Sequence, residues 1–308
     1  MYDTINLRLL SKHPNDFKKG VINYLENIGE HYYTDQQTIT GNIGRLKVIV
    51  SERELKIGGG SICKWFLGDN FKTMRRADMK TAVEKLSDIM HVPIKKAEVT
   101  RVDIGQNFIM KFCPMAYFNH LGGLPRTDRL EQPNGLYYNT SRRKLCFYDK
   151  NKESRNKQEI PILCRGENVL RYEIRYCNNI AYQLKTDKLT AETLYNGTFY
   201  ISLLNRWRDT YNSIQKIKST SINFNMIKTK RELHKAAISL FIEKMGGETK
   251  VTEDIKEALI KKRITKKQAY DLRQAIKEAG EGNNNIVEEN NIIEELNTKV
   301  NEAVKYYL

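Results

Sequence analysis

Three short stretches of this chain carry side chains that could act on a phosphate, and each alternates like a strand. In "TRVDIGQNF" Arg101, Asp103 and Asn107 share one face, and Thr100, Val102 and Ile104 the other. In "VLRYEIRY" Arg171, Glu173 and Arg175 oppose Leu170, Tyr172, Ile174 and Tyr176. In "KLCFYDK" Lys144, Cys146, Tyr148 and Lys150 oppose Leu145 and Phe147. If the three lie in one sheet, its polar face gathers two carboxylates, a phenol and a lysine. Two carboxylates can hold a hard cation such as Mg2+ or Mn2+, which polarises a phosphate. A phenol with an ordinary pKa of about 10 then needs a nearby cation to become a nucleophile, and Lys150 is placed to supply it. The same pattern suits a solvated sheet face on which acids and bases form cross-strand pairs. With 17 tyrosines in the chain, a tyrosine near a lysine does not choose between the two readings.

The rest of the chain must position these strands. Ile5, Leu7 and Leu9 alternate in "MYDTINLRLL", predicting a strand over 2–10. Phe17, Val21, Leu25 and Ile28 recur at helical spacing and predict a helix that Gly29 closes. "RLKVIV" and "ELKI", separated by "SER", read as a hairpin. Met79, Ala82, Val83, Leu86, Ile89 and Met90 form one apolar stripe, predicting a helix over 74–90 that ends before Pro93. The stretches 122–135 and 152–161 are polar, basic and loop-like. After Tyr176 the helical period dominates. The fold class expected is α+β, with a mainly antiparallel central sheet, helices on one face and a helical C-terminal extension. The domains expected are 1–218 and an extension over 219–308, with a linker near 280–291 around "GEGNNN". The last segment carries Ile292, Leu296, Val300 and Val304 on one face, suited to packing on the body or on a second copy.

Lys plus Arg exceeds Asp plus Glu by 52 to 37, a formal charge of +15 that points to a polyanionic partner. Five widely spaced cysteines, without a C-x-x-C pair, read as reduced thiols. With no secretory pattern at the start and no apolar run near ~18 residues, a cytoplasmic protein without a membrane partner is expected.

The ordered set "TRVDIGQNF", "LYYNTSRRKLCFYDKNKE" and "VLRYEIRY" resembles the gene II/X replication initiators of filamentous phages and related rolling-circle plasmid initiators. The opening "MYDTINLRL" and the segment from Gly60 to Ile94 are similar to the same family's N-terminal region, so the likeness spans roughly Met1 to Ile217. The resemblance implies a metal-dependent, origin-specific endonuclease acting in the bacterial host cell. Its tyrosine attacks a phosphodiester, becomes linked to the 5′ phosphate, and frees a 3′ hydroxyl that primes synthesis. Carried over residue by residue, the nucleophile falls on Tyr148, its lysine on Lys150, and the metal-holding acids on Asp103 and Glu173. Arg101, Arg171 and Glu153 fall in supporting positions. None of the five histidines lies two residues from another, so the His-x-His metal motif of many tyrosine nickases is missing and carboxylate-held Mg2+ or Mn2+ fits better.

DNA contacts are expected from Arg142 and Arg143 in "SRRK", from Lys216 to Lys235, and from "IKKRITKK" at 260–267. Thr265 and Gln268 have the spacing of a capping box, which starts the second helix of a hairpin or of a helix-turn-helix. Beyond DNA, the reading allows a host helicase, a polymerase and a second copy of the chain as partners. A non-catalytic DNA-binding regulator of the same fold and a relaxase-like mobilisation nickase are the alternatives.

Overall fold

The computed structural model describes residues 1–33, 36–154, 160–217, 219–222, 227–280, 287–290 and 292–307. The chain forms two compact units, Met1–Lys216 with Glu294–Leu308, and Ile217–Ile293. The first unit is built on β1 (Tyr2–Leu10), β2 (Glu26–Tyr33), β3 (Gln36–Ile43), β4 (Leu46–Val50) and β5 (Glu54–Gly58). To these it adds β6 (Glu98–Met110), β7 (Asp128–Gln132), β8 (Gly135–Asn139), β9 (Arg143–Asp149) and β10 (Asn168–Tyr176). They form one antiparallel sheet in the order β2-β3-β4-β5-β1-β6-β10-β9-β8-β7. The three chemistry-bearing strands, β6, β10 and β9, are therefore neighbours.

Helices are interspersed: α1 (Asp16–Val21), α2 (Ile62–Leu67), α3 (Arg76–Met90), α4 (Pro114–Phe118), α5 (Lys150–Glu153), α6 (Ile180–Leu184), α7 (Ala191–Leu194) and α8 (Gly197–Asn212). The apolar face of the central strands carries an aromatic core. Phe147 of β9 stacks on Tyr172 of β10 with centroids 4.5 Å apart, and Trp207 of α8 lies 4.6 Å from Tyr172. Trp207, Tyr172 and Phe147 are fully buried, and removing apolar surface of this size from water is what chiefly fixes helix to sheet. The stripe of α3 is buried at Met79, Ala82, Val83, Leu86 and Met90, and the Asp78 carboxylate accepts from the backbone N–H of Arg75 at the helix start.

Two local expectations are corrected. The helix predicted through Phe17 and Ile28 stops at Val21; a single 3-10 turn follows, and Gly29 lies within β2 instead of capping a helix. The β-branched pair Val21 and Ile22 holds a helix poorly, and Asn27 takes a φ of 51° where the β2–β3 register shifts, so the ladder with β3 wins. The stretch 122–135, read as loop, contains β7. All five of its side chains are exposed at the sheet edge, so no alternation of apolar residues marked it.

The helix α12 (Ile292–Tyr307) buries Leu296, Val300 and Val304. It packs on the first unit, where Asn297 Oδ1 accepts from Tyr211 Oη at 2.6 Å and Glu295 accepts from Tyr117 Oη. The second unit holds β11 (Ser219–Ile222) paired antiparallel with β12 (Val287–Asn290). It also holds α9 (Lys230–Lys244), α10 (Glu248–Ile260) and α11 (Lys266–Gly280). Val251, Ile255, Ala269 and Ile276 form its core. The capping box is present: Thr265 N–H donates to Gln268 Oε1 at 2.8 Å, and Gln268 N–H to Thr265 Oγ1 at 3.2 Å. Of the expected linker, 281–286 and 291 lie outside the described residues, as do 218 and 223–226 of the basic stretch and 155–159 of the loop. Among the described residues no helix is long and apolar enough to cross a membrane.

Candidate active site

Cross-strand register assembles the site. Arg171 of β10 pairs with Asn107 on one side and Tyr148 on the other, Glu173 with Gly105 and Cys146, and Arg175 with Asp103 and Lys144. Side chains in register share a face, so Asp103, Glu173 and Tyr148 stand on the same side of the sheet. Tyr148 Oη donates to Glu173 Oε2 at 3.1 Å. Asp149 ends the strand by capping α5, its side chain accepting from the N–H groups of Asn151 and Lys152. Lys150, the first residue of α5, folds under the site with 1% exposure, 5.9 Å from the Tyr148 ring centroid and 5.5 Å from that of Phe71. Its Nζ pairs with Glu153 at 2.7 Å.

This face is covered, not solvated. Asp103 and Glu173 are each 2% exposed, Arg171 3% and Tyr148 7%. Ser61 donates to Asp3, and Asn107 Nδ2 donates to the carbonyls of Asn70 and Phe71, so the segment around α2 reaches over the strands. Arg171 sits at the centre, donating to Asp3 Oδ2 at 2.7 Å, Glu173 Oε2 at 2.7 Å and Asn107 Oδ1 at 3.1 Å. Its guanidinium passes over Gly105, where an added Cβ would come within 2.9 Å of Nη2. Glycine is therefore required by close approach. Arg175 Nε donates to the other oxygen of Glu173 at 2.6 Å, and Arg101 holds both oxygens of Asp103 at 2.9 and 2.6 Å. Arg101 and Arg175 keep about a third of their side-chain surface exposed and form the outward edge of the network.

Burial and charge set the protonation states. Burial raises Glu173, but Arg171 and Arg175 outweigh it and hold the carboxyl at about 2. Burial lifts Asp103 to about 6, Arg101 opposing and the Glu173 charge assisting the rise. Burial pushes the Tyr148 phenol well above its ordinary 10, with Arg171 pulling the other way. Burial and the nearby Arg171 lower Lys150.

A divalent cation does not fit this arrangement. Both oxygens of Asp103 and both of Glu173 already accept charge-assisted hydrogen bonds from arginines. Among the described residues no group of three or more His, Cys, Asp or Glu side chains converges as a cation site.

Arg142 and Arg143, expected to contact DNA, lie at the far end of β9, five or more residues and hence roughly 17 Å or more from Tyr148 at about 3.3 Å per residue. Arg142 stacks its guanidinium 5.3 Å from the exposed Tyr182 ring instead. Three members of the site were not singled out. Asp3 follows a register shift in β1, which hides its face from period-2 counting. Arg175 shares the face of Glu173 and was legible from the alternation. Tyr137 of β8 sits on the face of Tyr148, because Gly135 pairs with Tyr148 and Tyr137 with Cys146. A pocket of about 320 Å³ opens there, lined by Asn134, Gly135, Tyr137, Tyr148, Glu153 and Arg175. A larger cleft of about 1420 Å³ runs past the end of β1 and α6, with Arg8, Lys12, Lys96 and Lys188 on its walls, but holds none of the buried network.

The family model for the N-terminal region of a phage replication-associated protein (Phage_CRI) matches residues 1–234. That span contains every residue of the site. No curated protein matches the chain.

Proposed function

The chain belongs to this family of phage replication-associated proteins, a family of rolling-circle replication initiators, and on that premise we propose that it starts replication by cutting one DNA strand with Tyr148. The observation that carries the reading is the Tyr148 Oη to Glu173 Oε2 hydrogen bond of 3.1 Å beside a pocket bordered by Arg175. In the proposed step the Tyr148 oxygen attacks phosphorus, the P–O3′ bond breaks, and the departing oxygen takes a proton to become the 3′ hydroxyl primer. The 5′ phosphate stays on Tyr148, from which a later 3′ hydroxyl recovers it and rejoins the strand.

Glu173, held at about 2, is too weak a base to take the phenol's proton and serves to aim it. Lys150, buried beneath the ring, supplies positive charge where the phenolate develops. Arg101 and Arg175, part-exposed, are the guanidiniums placed to meet phosphate oxygens. Arg171 is committed to Asp3 and Glu173 and fixes the frame. Mg2+ or Mn2+ is proposed as cofactor on the resemblance alone; Asp103 and Glu173, whose oxygens are taken by arginines, are not proposed to hold it.

The test is incubation of the purified chain with supercoiled DNA of its parent replicon and Mg2+ or Mn2+, read on denaturing gels with peptide mapping of any adduct. Wild-type protein should nick and remain attached through Tyr148, and EDTA should abolish the reaction. Tyr148→Phe should lower nicking at least about tenfold. It should leave the fold intact, since one hydrogen bond to a charged group is worth only about 1.5–3 kcal/mol and the ring's packing is kept. Specific binding without a nick would instead support the DNA-binding regulator. A replication assay in cells carrying the parent element separates copying from mobilisation.

A further inference from the structure

Among the described residues, the two most exposed large apolar side chains are neighbours. Ile162 is 80% and Leu163 84% exposed, and both stand on the single 3-10 turn Ile162–Cys164 that precedes β10. The turn is held firmly. Pro161 opens it, and the N–H groups of Cys164 and Arg165 donate back to the carbonyls of Pro161 and Ile162 at 2.8 and 3.2 Å. Arg165 Nε donates to the carbonyl of Ile160, whose own side chain is buried. Asn151 of α5 donates through Nδ2 to the carbonyls of Cys164 and Glu167 at 2.7 and 2.9 Å, which ties the turn to the residue after Lys150. A groove of about 530 Å³ runs beside the two side chains, and Phe71, Lys72, Asp69 and Arg165 also line it. Phe71 is the ring that lies 5.5 Å from Lys150 Nζ, and Lys150 lies against the ring of Tyr148. The apolar tip and its groove therefore border the cutting site.

We propose that Ile162 and Leu163 form a wedge that enters the DNA stack beside the cut and holds one base out of the duplex, in the groove against Phe71. The inference rests on the nicking reading above. Tyr148 is buried and tied to Glu173, so the strand must leave its regular path to reach the phenol. Apolar side chains inserted between base steps unstack them and kink the duplex, and an aromatic ring such as Phe71 receives an unstacked base of any sequence. A wedge must also resist being pushed back, which the bonds from Asn151 and Arg165 provide. The tip is too small to be a protein-docking surface. A stable interface takes about 800 Å² from each partner, and two side chains on one turn offer far less. The charged rim suits a nucleic acid: Lys72 and Arg165 line the groove where phosphates flanking the displaced base would pass. Asp69, the acid among them, is engaged in accepting from the backbone N–H groups of Phe71 and Lys72 at 2.9 Å, and so fixes the Phe71 side of the groove.

The experiment compares the full chain as wild type, as the double variant Ile162→Ser with Leu163→Ser, and as Leu163→Phe, on supercoiled DNA of the parent replicon. Bound DNA is probed with permanganate, which oxidises unstacked thymines, and with diethyl pyrocarbonate, which modifies unstacked purines. Nicking with Mg2+ or Mn2+ is timed on the same DNA and on a duplex with mismatched pairs at the wild-type nick. Wild-type protein should make bases beside the nick reactive, and the double variant should weaken that reactivity severalfold at equal occupancy. The double variant should nick supercoiled DNA at least about tenfold more slowly, yet stay within about twofold of wild type on the mismatched duplex, where the unstacking is already done. Leu163→Phe keeps an apolar wedge and should retain both activities. Both side chains are exposed, so unfolding midpoints should stay within about 2 °C of wild type. Equal base reactivity in wild type and double variant, or an equal loss of nicking on both substrates, would overturn this proposal and leave the nicking reading standing. Tip-dependent base reactivity without any nick would support the wedge and overturn the nicking reading.

Discussion

At the scale of single residues, the site is a buried ion-pair network whose parts cannot be removed one at a time. Glu173 accepts from two arginines and Tyr148 while 2% exposed. Neutralising one partner of such a pair leaves charge uncompensated and costs about 3–5 kcal/mol. Glu173→Gln is therefore expected to lower stability by about that amount in urea unfolding. Its pH signature follows from the direction of its shift. The carboxyl is held at about 2 against an ordinary 4.5, so its stabilisation is present above pH 4.5 and is lost as pH falls through 2. Asp103 runs the other way. Its pKa is raised from 3.8 to about 6, so its contribution is full below 3.8 and is lost as pH rises through about 6. Stability measured against pH should lose its acid-side fall in Glu173→Gln, and its decline between about 4 and 6 in Asp103→Asn.

At the scale of elements, register makes the site. A one-residue slip between β6 and β10 would turn Asp103 away from Arg175 and Glu173. Gly105 holds that register at its tightest point, with Arg171 Nη2 2.9 Å and Glu173 Cβ 3.2 Å from where a methyl group would sit. Gly105→Ala meets a buried guanidinium that cannot give way, and the overpacking should cost about 1–3 kcal/mol. Thermal denaturation will read it. A variant as stable as wild type would show that Arg171 is free to move. The same element logic sets Arg142 and Arg143 apart. They stand at the other end of β9, where a phosphate contact could only extend the binding track beyond the pocket.

At the scale of the molecule, a formal charge of +15 makes phosphate contact the main source of DNA affinity. A protein neutralising 6–10 phosphates loses about 10³–10⁵ in affinity between 50 and 200 mM salt. Affinity of this chain for a duplex oligonucleotide is expected to fall by at least on the order of a thousandfold over that range, measured by fluorescence anisotropy. A flat response would mean that the charge is spread away from the bound strand. The second unit carries "IKKRITKK" and the capped α11, yet α10 to α11 lie beyond the matched family region.

Local pattern was enough to read the α+β class, the three strands and the shared face of Asp103, Glu173 and Tyr148. Alternation and apolar stripes are properties of consecutive residues, and a strand keeps them wherever it is placed. Alternation also carried Arg175, though not its hold on Glu173. Pattern failed where long-range pairing overrode local preference, as at Leu25 to Gly29, and where an edge strand such as 128–132 had no buried face. The tertiary structure alone decided that the polar face is covered and that arginines occupy both carboxylates. It alone put Asp3 against Arg171 and α12 on the body of the first unit. These are contacts between residues far apart in the chain, whose partners are chosen by packing and by the need to neutralise buried charge, and nothing in the order of neighbours encodes them directly.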